Sequence, residues 1–157
     1  MSDRAFSATS VAPWLRFLAF YAAYSVIANL AWEIAQLPLY TLWRTATSGY
    51  LAFAVLHCTA GDVLIALTSL LGALPLAGLQ AWPPRRFTVL VVAAVALGLA
   101  YTAYSEWLNF YVRRSWAYAE AMPLLPGLGI GLSPLLQWLI IPVAGLLWAR
   151  QRAGEHR

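Results

Sequence analysis

Four ionisable side chains stand inside otherwise apolar stretches of the chain: Glu33 in NLAWEIAQL, His57 and Asp62 in VLHCTAGDVLI, and Glu106 in YTAYSEWLNF. Carboxyl groups and imidazoles exchange protons in acid–base catalysis, and apolar surroundings disfavour the charged form of either. Their types and positions suggest Glu33 and Glu106 as a paired acid and base. His57 would then be a proton shuttle or metal ligand, and Asp62 an orienting or charge-balancing group. Asn29, Gln36, Ser105, Asn109 and Gln137 supply hydrogen-bonding support, and Arg113 and Arg114, with Arg44, suit a phosphate head group. Contact with bulk lipid phosphates suits the same arginines better. Tyr21, Tyr24, Trp32, Tyr104 and Trp107 either line the apolar part of a substrate or act as interfacial anchors.

A metal would be held by His57, Glu33 and Glu106. Neither H-x-x-x-H nor H-E-x-x-H occurs, so no metal is assigned and the cofactor stays open. Ser105 and Cys58 sit in no nucleophile motif, and Walker, Rossmann and zinc-finger signatures are absent. Cys58 is the sole cysteine, which excludes an intrachain disulfide and reads as a small hydrophobe.

The elements that must position these groups follow from composition. Of 157 residues, 62% are hydrophobic and 10% charged, far from the quarter that a soluble domain carries. The chain is expected to be all-α, a single transmembrane domain over 1–157 forming an integral membrane four-helix bundle, since a bilayer core requires roughly 20 apolar residues per helix. The spans are read at 14–37, 50–74, 87–112 and 133–150. Pro38 stops the first, and the prolines of PLAGLQAWPPRR close the second. Arg113 and Arg114 mark the end of the third; Ser133 caps the fourth, with Pro134 at its first position. Between the last two spans, a short amphipathic turn or helix precedes an apolar Gly/Pro loop at 122–132, a candidate lid. The first apolar run continues to Pro38 without a small-residue cleavage site, as a membrane helix would and a signal core would not.

All ten basic residues are arginine, flanking apolar runs as membrane anchors do, and nucleic acid is not expected as a partner. Arg4, Arg16, Arg85, Arg86, Arg150, Arg152 and Arg157 fall on one side of the predicted topology, and Arg44, Arg113 and Arg114 on the other. Both termini are therefore expected in the cytoplasm of a bacterial-type inner membrane. His156 reads as a solvated tail residue.

Helical spacing then gathers the polar groups. Ser25, Asn29, Glu33 and Gln36 share one stripe; Thr102, Glu106 and Asn109 share another; Gln137 lies one turn below Ser133. All point into the outer half of the membrane, while the cytoplasmic halves are apolar. An ionisable group at a helix centre costs about 2.5–3.5 kcal/mol, so one shared, partly wet site is expected rather than four scattered ones. Glu33 is placed ~6 Å from its helix end, and His57 and Asp62 ~10 and ~18 Å below theirs. Five residues separate His57 from Asp62, ~140° of helix turn, so the two contact different parts of the bundle. Gly61 would allow close helix approach. Glu33-x-x-Gln36 and Glu106-x-x-Asn109 hint at a two-helix repeat.

Acid–base chemistry on a lipid or other membrane-soluble substrate is the leading function. Proton, ion or small-molecule transport, with a homo-oligomeric pore, and an assembly or accessory subunit are the alternatives. The polar residues would also serve simply as interhelical glue.

Overall fold

In hydrocarbon every backbone polar group must be satisfied within its own segment, so long apolar runs become helices. The computed structural model, which describes residues 8–78 and 84–154, contains four helices long and apolar enough to cross a membrane. These are α1 (Ala8–Gln36), α3 (Ser48–Ala77), α4 (Phe87–Trp107) and α5 (Leu132–Gly154). Arg4, His156 and Arg157 lie outside the described residues.

α1, α3 and α5 run further than the sequence suggests at one end or both, whereas α4 starts at Phe87 as expected and gives way to a π-helical turn after Trp107. Pro75 does not close the second span: α3 continues to Ala77 and ends at Gly78, whose φ of 81° needs a glycine. A proline removes one intrahelical bond, which a neighbouring helix or local adjustment offsets in membrane helices. Pro38 does act as a stop, converting α1 into a 3₁₀ turn, Leu37–Leu39. The polar stretch beyond it, expected as plain loop, contains the one-turn helix α2 (Leu42–Thr45), and Thr47 caps α3 by accepting from Tyr50 N at 3.3 Å.

The four long helices form a square in which α1 and α4 each pack on α3 and α5. Every neighbouring pair is antiparallel, so the C-terminal ends of α1 and α4 meet the N-terminal ends of α3 and α5 at one end of the bundle. The opposite half is closed by a packed apolar core that includes Phe17, Tyr21, Leu70, Leu90, Leu146 and Ala149. Phe17 stacks on Tyr21 at 6.5 Å and meets Phe87 edge-on at 6.3 Å.

Gly98 and Gly145 provide the close approaches. A Cβ on Gly98 would lie 2.1 Å from the Trp138 ring, and one on Gly145 would lie 2.7 Å from Tyr24. Gly61, expected in that role, would place a Cβ in open space. Its missing side chain enlarges a cavity instead.

After Trp107, α4 passes into a π-helical turn, Leu108–Arg113, terminated by Arg114 in the left-handed region at φ 54°. That reversal turns the chain back across the bundle end, and of the amphipathic turn or helix expected after it, a turn forms at 120–121, closed by Met122 N to Ala119 O at 3.0 Å. Residues 115–118 run as an extended strap, tied by Thr41 N to Ala117 O at 2.9 Å and by Ala119 N to Leu39 O at 2.9 Å. The loop 122–132 is folded on itself by Leu125 N to Ile130 O at 2.8 Å, with Met122 and Ile130 buried.

Candidate functional site

The polar stripe of α1 is realised. Ser25, Asn29, Glu33 and Gln36 are all buried, and the fully buried amide of Gln137 on α5 reaches into them. Gln137 Nε2 donates to Asn29 Oδ1 at 2.9 Å, to Asp62 Oδ2 at 2.9 Å and to Glu33 Oε1 at 3.3 Å. Gln36 Nε2 donates to Glu33 Oε1 at 2.6 Å, while its own Oε1 accepts from Ser133 Oγ at 2.9 Å. Ser133 in turn accepts from Trp32 Nε1 at 3.2 Å. The carboxyl groups of Glu33 and Asp62 are in hydrogen-bonding contact, and Trp138 stands beside Asp62.

That contact corrects the depths read from sequence. Glu33 lies three residues from the end of α1, ~4.5 Å, whereas Asp62 lies fourteen residues into α3, ~21 Å. The two meet because the first turns of α3 stand beyond the end of α1. The space above the end of α1 becomes a cavity of about 320 Å³, bordered by α3, α4, the start of α5, Tyr40, Leu42 and Trp116.

Across the cavity, Glu106 is buried on α4 and accepts from Tyr118 Oη, with Trp116 alongside. Glu33 therefore contacts Asp62 and Glu106 contacts a phenol, and both glutamates border the one cavity. Burial, and secondarily the hydrogen bond with Glu106, pushes the Tyr118 phenol above the ordinary tyrosine value. Tyr40 is raised in the same direction by burial and by the Glu106 and Glu33 carboxylates. Both stay protonated and able to donate.

The remaining expectations divide. Asp62 and His57 border the same cavity from different sides, as their spacing requires. His57 does not join the buried cluster: it is exposed at the rim, stacked on Phe53 at 5.5 Å. Ser105 and Cys58 line the cavity half-buried. Arg113 lines it from an exposed position, but Arg114 faces a neighbouring hollow with Thr41, Tyr111 and Ser115. Arg44 borders neither. Asn109 donates to Ser105 O at 2.9 Å and accepts from Ser115 Oγ at 3.3 Å, so it secures the π turn and does not bond Glu106. The two glutamate motifs thus differ in structure, which argues against a repeat. The loop 122–132 contributes nothing to the lining; the strap does, through Trp116.

Sequence reasoning missed Tyr40, Trp116, Tyr118 and Trp138 as site residues. The first three lie outside the apolar periodic segments, and Trp138 reads as an ordinary apolar position beside Gln137. Among the described residues no three His, Cys, Asp or Glu side chains are disposed to hold a metal; the trio His57, Glu33 and Glu106 is separated by the turn of His57 to the rim.

Four long apolar helices around this cluster define a multi-pass membrane protein. Comparison with protein-family models, with curated proteins and with solved structures gave no match.

Proposed function

We propose that this is an inner-membrane protein whose cavity performs acid–base chemistry on a lipid or other membrane-soluble substrate. One observation carries the reading: the cavity is blind. It ends on the Glu33–Asp62 pair; the buried polar groups beneath that pair, Asn29, Ser25 and Ser69, give way to a packed apolar core that closes the bundle. Two carboxyl groups in contact hold a proton between them in preference to two charges, which gives the cavity floor a group that both donates and accepts. Glu106, with the Tyr118 phenol, supplies a second such group on the facing wall. Gln137 and Gln36 fix the geometry of the pair.

A volume of about 320 Å³ is at the small end of ligand pockets. It suits a head group or ring whose tail remains in lipid. His57 and Tyr101, exposed and lining, stand where such a molecule enters between α3 and α4. A continuous transport path needs polar groups through the far half of the bundle; beyond Ser25 and Ser69 that half holds Phe17, Leu70, Leu90 and Leu146.

The test compares lipid extracts, by mass spectrometry, of membranes carrying the wild-type chain, Asp62→Asn or Glu106→Gln, each variant checked for helicity by circular dichroism. A lipid species formed or consumed only with the wild type is expected. Identical lipid profiles together with proton flux in proteoliposomes would replace this reading with transport.

A further inference from the structure

We propose that the group entering the cavity is a primary ammonium, so that the ligand is an aliphatic or lipid amine; this rests on the reading of the cavity as a substrate site and names its substrate class. Three carboxyl groups, those of Glu33, Asp62 and Glu106, border one small cavity, and the basic side chains among its lining, His57 and Arg113, both stand at exposed positions beyond them. An anionic group at this depth meets like charge; a cation meets complementary charge.

The walls add a second argument. Tyr40 and Trp116 both line the cavity, with ring centroids 6.5 Å apart and planes at 89°. Aromatic rings on a cavity wall attract ammonium groups through the ring quadrupole.

The third is an unused acceptor. Thr102 lines the cavity, is 6% exposed, and its hydroxyl has no hydrogen-bond partner. A helical threonine ordinarily satisfies its hydroxyl on the carbonyl one turn back, and a buried hydroxyl left unpaired is unfavourable. The hydroxyl is therefore free for a ligand. A primary ammonium carries three N–H donors. Glu106, the Glu33–Asp62 pair and Thr102 offer three acceptors. The open space at Gly61 keeps room for the methylene that bears the nitrogen.

The same chemistry occurs in an aminophospholipid head group and in a free amine. The test uses the full chain in neutral detergent with dodecylamine as probe and dodecanol as its uncharged match, read by the shift of the unfolding midpoint with concentration. Saturable stabilisation by dodecylamine and not by dodecanol is expected. Thr102→Val should keep or raise thermal stability yet weaken the amine about tenfold, a loss that a purely structural threonine would not show. Glu106→Gln should weaken it roughly ten- to hundredfold, and Gly61→Leu, filling the cavity, should abolish it. In nanodiscs, retention of phosphatidylethanolamine over phosphatidylglycerol places the amine on a lipid; displacement of dodecylamine by free ethanolamine without lipid retention places it on a soluble amine. Equal shifts with amine and alcohol, or wild-type amine affinity in folded Thr102→Val and Glu106→Gln, overturn the proposal. Amine binding with an unchanged lipid profile keeps it and removes the acid–base reading; a lipid product without amine binding does the reverse.

Discussion

Gln137 has two amide hydrogens and faces three acceptors, on Asn29, Glu33 and Asp62, so removing it leaves the buried Asn29 Oδ1 without that donor and takes one donor from each carboxyl group. An unpaired buried acceptor costs about 1–3 kcal/mol. Gln137→Leu is therefore expected to lower unfolding free energy by about that amount in detergent, and chemical denaturation checks it. At the cavity's other wall, Tyr118 carries a pH signature. Its folded phenol is raised by burial, whereas the unfolded chain releases the same proton near pH ~10. Stability from this group is complete below that pH and is lost as pH rises through it, because only the unfolded state ionises. Thermal unfolding followed upward through that range should fall for the wild type and fall less for Tyr118→Phe. These two residues also mark how far single positions can be read from a chain. Helical spacing placed Ser25, Asn29, Glu33 and Gln36 on one buried face, since the 3.6-residue period is a property of the backbone alone. It did not pair Asp62 with Glu33, because periodicity reports the direction of a side chain and not the depth at which two helices are set against each other.

Depth is decided at the scale of elements. The ~16 Å offset between the position of Glu33 below the end of α1 and that of Asp62 below the start of α3 is taken up by the 3₁₀ turn, Tyr40 and α2, none of which has an apolar period to reveal it. The π turn at Leu108–Arg113 is equally silent in sequence: it is stabilised by Asn109 bonding to Ser105 and Ser115, contacts that appear once Arg114 has reversed the chain. The four spans were legible because their length and apolarity are fixed by the bilayer; their connections were not, because loops answer to contacts with one another. Glycines separate the two kinds of helix contact. At Gly98 the Trp138 ring occupies the place of a side chain, so Gly98→Ala must push α4 and α5 apart. Overpacking of this kind costs about 1–3 kcal/mol, and a lower unfolding midpoint is expected. Gly61→Ala, facing open space, should unfold with the wild type. Equal destabilisation of the two variants would contradict the assignment of Gly98 to packing and Gly61 to the cavity.

For the whole molecule, the antiparallel square fixes which groups share an end. The carboxyl cluster, the strap and the loop 122–132 gather at one end; the start of α1, the end of α3, the start of α4 and the last turns of α5 gather at the other. Arginines divide along the same line. Arg16, Arg85, Arg86, Arg150 and Arg152 belong to the apolar end, and Arg44, Arg113 and Arg114 to the cavity end. Short cytoplasmic connections collect positive charge, so we propose that the apolar end faces the cytoplasm and the cavity the opposite leaflet. A substrate amine would then approach from the outer leaflet or the space beyond it, and the packed core would isolate the proton-exchanging pair from the cytoplasm. The orientation is checked with single cysteines in a Cys58→Ser background, placed at two exposed sites at opposite ends, Glu120→Cys and Gly154→Cys. A membrane-impermeant maleimide applied to intact spheroplasts should label the first and spare the second until the cells are lysed. The reverse pattern would place the cavity on the cytoplasmic side, where its substrate would be drawn from the inner leaflet.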